Sequence, residues 1–359
     1  MAETLEVRTG IDEAKVEEFL ERVVGDLAGT MSTVFCALGD RLGLFRALAE
    51  GAGTSEELAA RAGVQERYVR EWANGLVTAG YLVHDPRSGR FSLPAEHIPV
   101  LADEGGLAFL GGAHQFVREL VGDIDTIERA FRDGGGVSLA AYGEGFWTGL
   151  ARLTGPSFEH QLVQEWIPAV PGLQERLQAG VAVADVGCGA GAAAIKLAQA
   201  FPRSTIHGFD IYEPNIVAAR DAARAAGVAD RVTFIQADAV NAIPGTYDII
   251  TYFNVVHDTR DPLALLRATH GALREDGICV IQDANCHEDV EDDRGPIGTV
   301  LYGISLLHCM PQSIAEDGAA LGTCGLPEAT LRALCLEAGF GSVARVAEGP
   351  LDLVYDVRP

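Results

Sequence analysis

The chain has 359 residues and a formal net charge of −24 at pH 7, because 51 acidic residues stand against 27 basic ones. Hydrophobic residues make up 48% and charged residues 22%, which excludes a largely disordered or collagen-like chain. So acidic a surface repels phosphate backbones and anionic lipids, and it therefore disfavours nucleic-acid and membrane partners. The length is typical of two domains, and we expect a boundary near residue 175.

The cysteines and the N-terminal residues indicate the cellular compartment in which the protein is expected. The seven cysteines form no CxxC pair, so the sequence favours neither a disulfide framework nor a zinc knuckle. The N-terminal segment lacks a basic stretch followed by an apolar run, and no stretch of about 18 apolar residues occurs. We therefore expect a cytoplasmic protein without a signal peptide or a membrane span.

The first hundred residues predict a winged helix. Apolar residues at helical spacing predict a helix over 14–50, and Thr54 with Glu57 three residues later forms a capping box for a second helix. That helix ends at Gly63 and is followed by a helix over 66–79, then by a β-hairpin turning at 85–89. Residues 1–100 are therefore expected to be a helical winged-helix domain.

A winged helix either reads DNA or serves as a dimerisation module. Between Thr54 and Arg90 there are five acidic and five basic residues, whereas a DNA reader presents a basic face. The sequence therefore favours a homodimerisation domain that also covers the pocket, with a winged-helix transcriptional regulator as the alternative.

Residues 101–175 read as a helical connector and substrate lid. Aromatic rings cluster beside glycines over 142–147, which is typical of a segment that lines a pocket, although each ring by itself also fits core packing.

From residue 181 onward, short apolar runs alternate with helical segments. The predicted strands are 181–186, 204–210, 232–235, 247–253, 277–283 and 353–357, and the predicted helices are 192–200, 214–226, 262–273 and 331–338. Such alternation predicts a parallel, doubly wound α/β sheet. The fold class is thus a Rossmann-like α/β domain over 176–359, preceded by the mostly helical winged-helix domain.

A glycine-rich loop, DVGCGAG, follows the first of these strands and opens a helix. Its GxGxG spacing lacks the third glycine of a pyrophosphate loop, and Asp185 at its start suits an aminoacyl ammonium group. Nineteen residues after Gly191, Asp210 ends the next strand, where its carboxylate could accept both hydroxyls of a ribose. Asp238 follows the third strand, within reach of an adenine amino group.

This combination resembles motif I of the class I S-adenosylmethionine-dependent methyltransferases, over residues 181 to 283. The resemblance implies that S-adenosylmethionine is the cofactor. The glycines would line its methionine and ribose, Asp210 would bind the ribose and Ile211 would pack on the adenine. Asp238 and Ala239 would hold the adenine edge, and Phe253 and Asn254 would border the sulfonium. The full set of residues implied to bind the cofactor is Asp185, Gly187, Gly189, Gly191, Asp210, Ile211, Asp238, Ala239, Phe253 and Asn254.

His257 and Asp258 follow the fourth strand, beside the place expected for the reactive methyl group. A histidine there could take a proton from a hydroxyl, or the pair could bind a metal ion. The pair resembles the catalytic His-Asp of small-molecule O-methyltransferases, in which the histidine is the general base and no metal is required.

His308 lies in a late insert and supports a second resemblance. The whole-chain pattern is similar to actinobacterial methyltransferases with an N-terminal dimerisation domain and, more distantly, to α-keto-acid C-methyltransferases, in which two histidines and an aspartate hold iron. This implies His257, Asp258 and His308 as ligands of a divalent or ferric ion. The acceptor pocket would draw on Phe146, Trp147, His257, Tyr302, His308 and Met310.

Together these features predict an S-adenosylmethionine-dependent methyltransferase of secondary metabolism that methylates an oxygen or carbon of a small molecule. A non-methylating S-adenosylmethionine-binding protein or cyclase is the other alternative besides the regulator. The segments that shape the pocket carry little recognisable pattern, so the sequence leaves the acceptor open.

Overall fold

The computed structural model describes residues 10–122 and 124–359, which divide into two compact units at Arg118/Glu119. The division falls inside the predicted connector over 101–175. Leu101 shows why the N-terminal unit extends beyond the predicted boundary at residue 100, since it is buried in that unit's core. Among the described residues, no helix is long and apolar enough to cross a membrane.

The N-terminal unit is a helical domain with a small hairpin. Its elements are α1 (Glu13–Arg41), α2 (Leu44–Ala49), α3 (Ser55–Ala62), α4 (Glu66–Thr78), β1 (Val83–Asp85), β2 (Arg90–Ser92) and α5 (Ile98–Leu101), and α6 (Gly111–Gly122) runs across the boundary. Buried side chains of α2, α3 and α4, together with Phe91 of the hairpin, form its core.

Local signals place most of these boundaries correctly. The capping box is confirmed, because the Thr54 side chain accepts a hydrogen bond from the N–H of Glu57, whose own side chain bonds back to the N–H of Thr54. Gly63 ends α3 in the left-handed conformation. The predicted helix over 14–50 is instead two helices, since Gly43 at φ 70° interrupts it.

The C-terminal unit alternates helices and strands. Its helices are α7 (Ile124–Asp133), α8 (Glu144–Ser157), α9 (Ile167–Ala169), α10 (Leu173–Ala179), α11 (Ala192–Ala200), α12 (Glu213–Ala225), α13 (Pro262–Ala272), α14 (Pro296–Ile304), α15 (Met310–Ala315) and α16 (Glu328–Ala338). Its strands are β3 (Ala182–Val186), β4 (Thr205–Asp210), β5 (Val232–Gln236), β6 (Tyr247–Phe253), β7 (Leu273–Ala284), β8 (Ser342–Glu348) and β9 (Asp352–Arg358).

The strands form one sheet in the order β5-β4-β3-β6-β7-β9-β8. The first five are parallel, as predicted, and β9 lies antiparallel between β7 and β8. The sequence does not predict β8, because this edge strand is largely exposed and lacks an apolar run. Successive residues of the central strands belong to two different buried clusters, so hydrophobic cores cover both faces of the sheet.

Two π-helical segments interrupt the helices of this unit, over Phe158–Trp166 and Ser305–Cys309. Each lies close to a proline, Pro156 before the first and Pro311 after the second. A proline has no N–H, so Pro311 cannot bond to the carbonyl of Leu307 four residues earlier. That carbonyl instead accepts a hydrogen bond from the Tyr142 hydroxyl at 3.0 Å, which joins the segment before α8 to the second π-helix.

Candidate active site

The glycine-rich loop leaves β3 and turns into α11. The N–H groups of Gly187 and Cys188 both donate to the carbonyl of Phe209, at 2.8 and 2.9 Å, which ties the loop to the end of β4. Gly191 has φ 83°, and a Cβ there would lie 2.6 Å from the ring of Phe234. A larger residue therefore cannot replace Gly191 without moving the helix or the ring.

Asp210 fixes this loop from the neighbouring strand. Its carboxylate accepts hydrogen bonds from the N–H of Gly189 at 2.9 Å and from the N–H of Tyr212 at 2.8 Å. Burial raises the pKa of Asp210, although these two bonds act in the opposite direction. The ribose contact of Asp210 remains a prediction, and the hydrogen bonds give the carboxylate a second role as an anchor of the loop.

Asp185 lies inside the sheet, near the end of β3. Its side chain is fully buried, and Oδ1 accepts a hydrogen bond from the Thr251 hydroxyl at 2.8 Å. Among the described residues Oδ2 has no hydrogen-bond partner, and the contact of Asp185 with an aminoacyl ammonium remains a prediction. Burial, opposed by the bond from Thr251, raises the pKa of Asp185 to about 7.

The remaining cofactor candidates lie at the ends of β4 and β5. Ile211 is 39% exposed and available for an apolar contact. The carboxylate of Asp238 accepts from the N–H of Val240 at 3.1 Å and from Arg260 at 2.7 Å, while Ala239 is half-buried. The adenine contacts of Asp238 and Ala239 remain predictions.

Phe253 and Asn254 end β6 in different environments. The ring of Phe253 packs in the core against Phe158 and Trp166, with centroids 5.3 and 5.9 Å away. Its side chain is therefore part of the core, and its place at the border of the sulfonium remains a prediction. Asn254 has φ 56°, and its N–H donates to the carbonyl of Gln282 at 2.9 Å.

His257 is buried between two carboxylates. Its Nδ1 makes a short hydrogen bond with Asp283, and its Nε2 lies 3.2 Å from Oδ1 of Asp258. Burial lowers the pKa of His257, but the two carboxylates outweigh burial and hold the pKa well above its ordinary value. Burial raises the pKa of Asp258, yet His257 outweighs it and brings the pKa to about 2.

Asp283 is the functional candidate that the sequence analysis missed. It lies near the end of β7, which is the neighbour of β6 in the sheet, and His257 follows β6. Its side chain is 2% exposed. A signal was available, because polar residues at the carboxyl ends of neighbouring parallel strands converge on one edge of the sheet.

The predicted metal set is not brought together. Among the residues the structure describes, the group whose possible ligand atoms lie within 4.8 Å of one another is His257, Asp258 and Cys309. His308 stays outside this group, because its ring lies in an aromatic cluster. Burial raises the pKa of the Cys309 thiol to about 12, and the Thr323 hydroxyl lies 3.0 Å from its sulfur.

His308 belongs to an aromatic cluster that the second π-helix supports. Its ring centroid lies 4.7 Å from that of Tyr142, 4.6 Å from that of Phe146 and 6.3 Å from that of Trp147. Within the described part of the chain, His308 Nδ1 and Trp147 Nε1 are buried and have no hydrogen-bond partner. Burial lowers the pKa of His308, although Asp258 acts in the opposite direction, so this imidazole is neutral at pH 7.

Two further pocket candidates lie on the following helices. Tyr302 on α14 is 41% exposed, and Met310 at the start of α15 is half-buried. A Cβ at Gly322 would lie 3.4 Å from the Cβ of Met310, so the segment before α16 passes close to this methionine.

A doubly wound sheet with a glycine loop after its first strand and polar groups at the strand ends is typical of nucleoside-binding α/β proteins. Residues 177–315 match the family model of a methyltransferase domain, and residues 30–103 match an Rv2258c-like winged HTH domain. The chain therefore carries a methyltransferase domain over residues 177–315 and an Rv2258c-like winged HTH domain over residues 30–103.

Individual relatives agree with this assignment. The chain is 31% identical to a ubiquinone biosynthesis O-methyltransferase of Ruegeria pomeroyi, over 31% of this chain and 44% of the relative. The chain spans between 33% and 49% of the length of the first curated relatives it matches.

Solved structures share the whole fold. Human N-acetylserotonin methyltransferase in complex with S-adenosylmethionine superposes with a TM-score of 0.71 at 19% identity, covering 98% of this chain and 99% of that one. An O-methyltransferase family protein from Burkholderia thailandensis gives a TM-score of 0.66 at 18% identity, covering 94% and 98%.

The raised pKa of Asp185 predicts a pH-dependent stability. Its pKa is about 7 in the folded chain and lower in the unfolded chain, so its favourable contribution is present at acid pH and is lost as the pH rises through 7. The quantity to follow is the free energy of unfolding of the wild type minus that of Asp185→Asn. This difference should fall by up to about 1.4 kcal/mol per pH unit as the pH rises toward 7.

Urea unfolding between pH 4.5 and pH 8 measures this difference. The matched variant Asp221→Asn removes an exposed carboxylate of α12 and should give a difference that changes little with pH. The same flat difference for Asp185→Asn would contradict the prediction.

Proposed function

We propose that this protein transfers the methyl group of S-adenosylmethionine to a hydroxyl group of a small molecule, at the site formed by His257, Asp258 and Asp283. The observation that carries the proposal is the buried histidine held by Asp283 directly after β6, in a chain whose methyltransferase domain is established by its family match. The cofactor would lie along the ends of β3, β4 and β5, beside the glycine loop and Asp210.

Methyl transfer is an in-line displacement at the sulfonium carbon. The acceptor oxygen forms a bond to the methyl carbon while the carbon–sulfur bond breaks, its electrons pass to sulfur, and S-adenosylhomocysteine leaves. The bound S-adenosylmethionine supplies the methyl group and the positive charge. The protein must hold the acceptor oxygen in line and take up its proton.

The His257–Asp258 pair is suited to that proton. Asp258 Oδ1 is buried and, among the described residues, receives no hydrogen bond of good geometry, although His257 Nε2 is 3.2 Å away. We propose that the acceptor hydroxyl binds within hydrogen-bond reach of both atoms. Neutral His257 would take the released proton at Nε2, and the carboxylates of Asp258 and Asp283 would stabilise the imidazolium that forms.

The aromatic cluster is proposed to hold the acceptor itself. Phe146 and Trp147 offer ring faces, and the neutral His308 and the indole N–H of Trp147 offer hydrogen bonds that remain unused within the described chain. Tyr302 and Met310 would complete the pocket from α14 and α15. An acceptor with an aromatic or other flat apolar body and a few polar groups fits these surroundings.

The exposed face of α1 is proposed to form a homodimer. Val16, Leu20, Val24, Leu27, Met31, Val34 and Leu38 recur at helical spacing along α1, and each is 40% exposed or more. An apolar stripe of this length on a soluble protein indicates a partner, and a second copy of the same helix offers the matching surface.

The cofactor proposal predicts the effect of Asp210→Ala. The variant loses the expected ribose contact and the anchor of the glycine loop, so its affinity for S-adenosylhomocysteine should fall at least ~10-fold in isothermal calorimetry. Glu213→Ala, which removes an exposed acid three residues later, should bind as the wild type does. Unchanged binding by Asp210→Ala, or none by the wild type, would overturn the cofactor proposal.

The catalytic proposal predicts that His257→Ala slows methyl transfer ~100-fold or more while S-adenosylhomocysteine still binds. Mass spectrometry with S-adenosylmethionine and a panel of phenols, aromatic amines and α-keto acids measures the rate and the methylated atom. His287→Gln, at an exposed histidine paired with Asp293, is the control and should keep full activity. Transfer by His257→Ala at the wild-type rate would contradict the role of this histidine.

Metal-assisted transfer is the second candidate, favoured by the proximity of His257, Asp258 and Cys309. Under the base mechanism, incubation with EDTA leaves turnover unchanged. Turnover that EDTA abolishes, that a divalent cation restores and that is absent in Cys309→Ala would favour the metal instead.

The dimer proposal predicts that Leu27→Glu with Met31→Glu converts the protein to a monomer, because two charges would be buried at the contact. Sedimentation velocity measures the change. Arg22→Glu, on the opposite side of α1, should leave the association unchanged. A wild type that sediments as a monomer would contradict the dimer.

A further inference from the structure

Asn254 has an unusual backbone conformation at a sensitive position. It follows β6 with φ 56°, in the left-handed region, which among the described non-glycine residues only Asp317 and Ala320 share. A residue with a side chain keeps this conformation only where its surroundings hold it. Asn254 also begins the loop that carries His257, so a change in its backbone would move the proposed catalytic pair.

A buried chain of hydrogen bonds leads from Asn254 to β9. The N–H of Asn254 donates to the carbonyl of Gln282 at 2.9 Å. The side-chain Nε2 of Gln282 lies 3.5 Å from Oδ1 of Asn254 and 2.5 Å from Oδ1 of Asp352, the first residue of β9. Gln282 is 1% exposed. The side chain of Gln282 thus connects three segments that are neighbours in the sheet: the loop after β6, β7 and β9.

The charge of Asp352 determines how the Gln282 amide is oriented. A carboxylate only accepts hydrogen bonds, so it binds the NH₂ end of the amide and excludes the carbonyl end. With Nε2 directed in this way, it also faces the side-chain oxygen of Asn254. A neutral amide at position 352 could bind either end of Gln282, and the orientation would be lost.

The same stretch of β7 also holds the histidine. Gln282 and Asp283 are consecutive strand residues, so their side chains leave opposite faces of the sheet. Gln282 contacts the first residue of the β6 loop, and Asp283 binds His257 three residues further on. The end of β7 therefore fixes this loop at two points.

We propose that Asp352 and Gln282 are positioning residues that hold Asn254 in its left-handed conformation and thereby set the cofactor's methyl group against His257. The cofactor part of this inference rests on the proposed function. Neither residue touches the reacting atoms, and both act through the backbone of Asn254.

The test is a double-mutant cycle, because glycine adopts a left-handed backbone without needing to be held there. In the wild-type background, Asp352→Asn should weaken the binding of S-adenosylhomocysteine ~10-fold in calorimetry. In the Asn254→Gly background, Asp352→Asn should then add less than ~2-fold. Equal weakening in both backgrounds, or none in either, would overturn the proposal.

Asp356→Asn is the matched control. Asp356 lies on the same strand as Asp352, and four residues along the strand place both side chains on the same face, but its carboxylate bonds to Arg358. The effect of Asp356→Asn should be the same with and without Asn254→Gly. A coupling as large as that of Asp352 would show that the cycle reports general damage to β9, and would count against the proposal.

Thermal melting without cofactor gives a second, independent cycle. Asp352→Asn should lower the melting temperature, and Asn254→Gly should remove most of that loss. If Asp352→Asn alone does not fold, recovery of folding in the double variant supports the proposal and continued failure overturns it. If the wild type binds no S-adenosylhomocysteine, the proposed function fails, while the melting cycle still decides whether Asp352 holds Asn254.

Discussion

The buried hydrogen bond between Nδ1 of His257 and Asp283 joins the loop after β6 to the end of β7. Both groups are almost fully shielded from water, so each satisfies the buried polar group of the other. Removing one partner of such a buried pair costs about 3–5 kcal/mol, because the remaining charge is left uncompensated. The bond also fixes which nitrogen of the imidazole faces Asp258, and the chemistry proposed for this site follows from that orientation.

At the glycine loop, too, a buried carboxylate at a strand end fixes a neighbouring segment. Asp210 accepts hydrogen bonds from Gly189 and Tyr212, so an acid at the end of one strand orders the loop that follows its neighbour. In both places the parallel sheet brings strand ends together, and a carboxylate satisfies backbone or side-chain donors from an adjacent segment. The loop and the histidine are therefore held in place before a ligand arrives, which reduces the entropy lost on binding.

The acceptor side depends on irregular helices. Pro311 has no N–H to donate to the carbonyl of Leu307, and the Tyr142 hydroxyl donates a hydrogen bond to that carbonyl instead. This contact brings the segment before α8 to the π-helix that bears His308, where the extra residue in the turn changes the direction of the side chains. The aromatic cluster thus arises from local backbone chemistry in segments that carry no recognisable sequence pattern.

Much of the fold could be predicted from local signals. The capping box at Thr54, the glycine stop at Gly63 and the strand over 247–253 all appear as predicted, because short-range periodicity and turn chemistry act within a few residues. The sequence missed β8 and the antiparallel direction of β9, since an exposed edge strand has no apolar pattern and strand direction depends on distant partners.

The sequence by itself indicated the class of the protein, because a glycine loop after a buried strand and acids at the following strand ends are local patterns typical of nucleoside binding. Only the tertiary structure decided the environment of each side chain. It buried Asp185 inside the sheet, placed the ring of Phe253 in the core, chose Asp283 as the partner of His257 and left the ring nitrogens of His308 outside the group of His257, Asp258 and Cys309. Burial and partnership depend on residues far apart in the chain, and no local pattern encodes them.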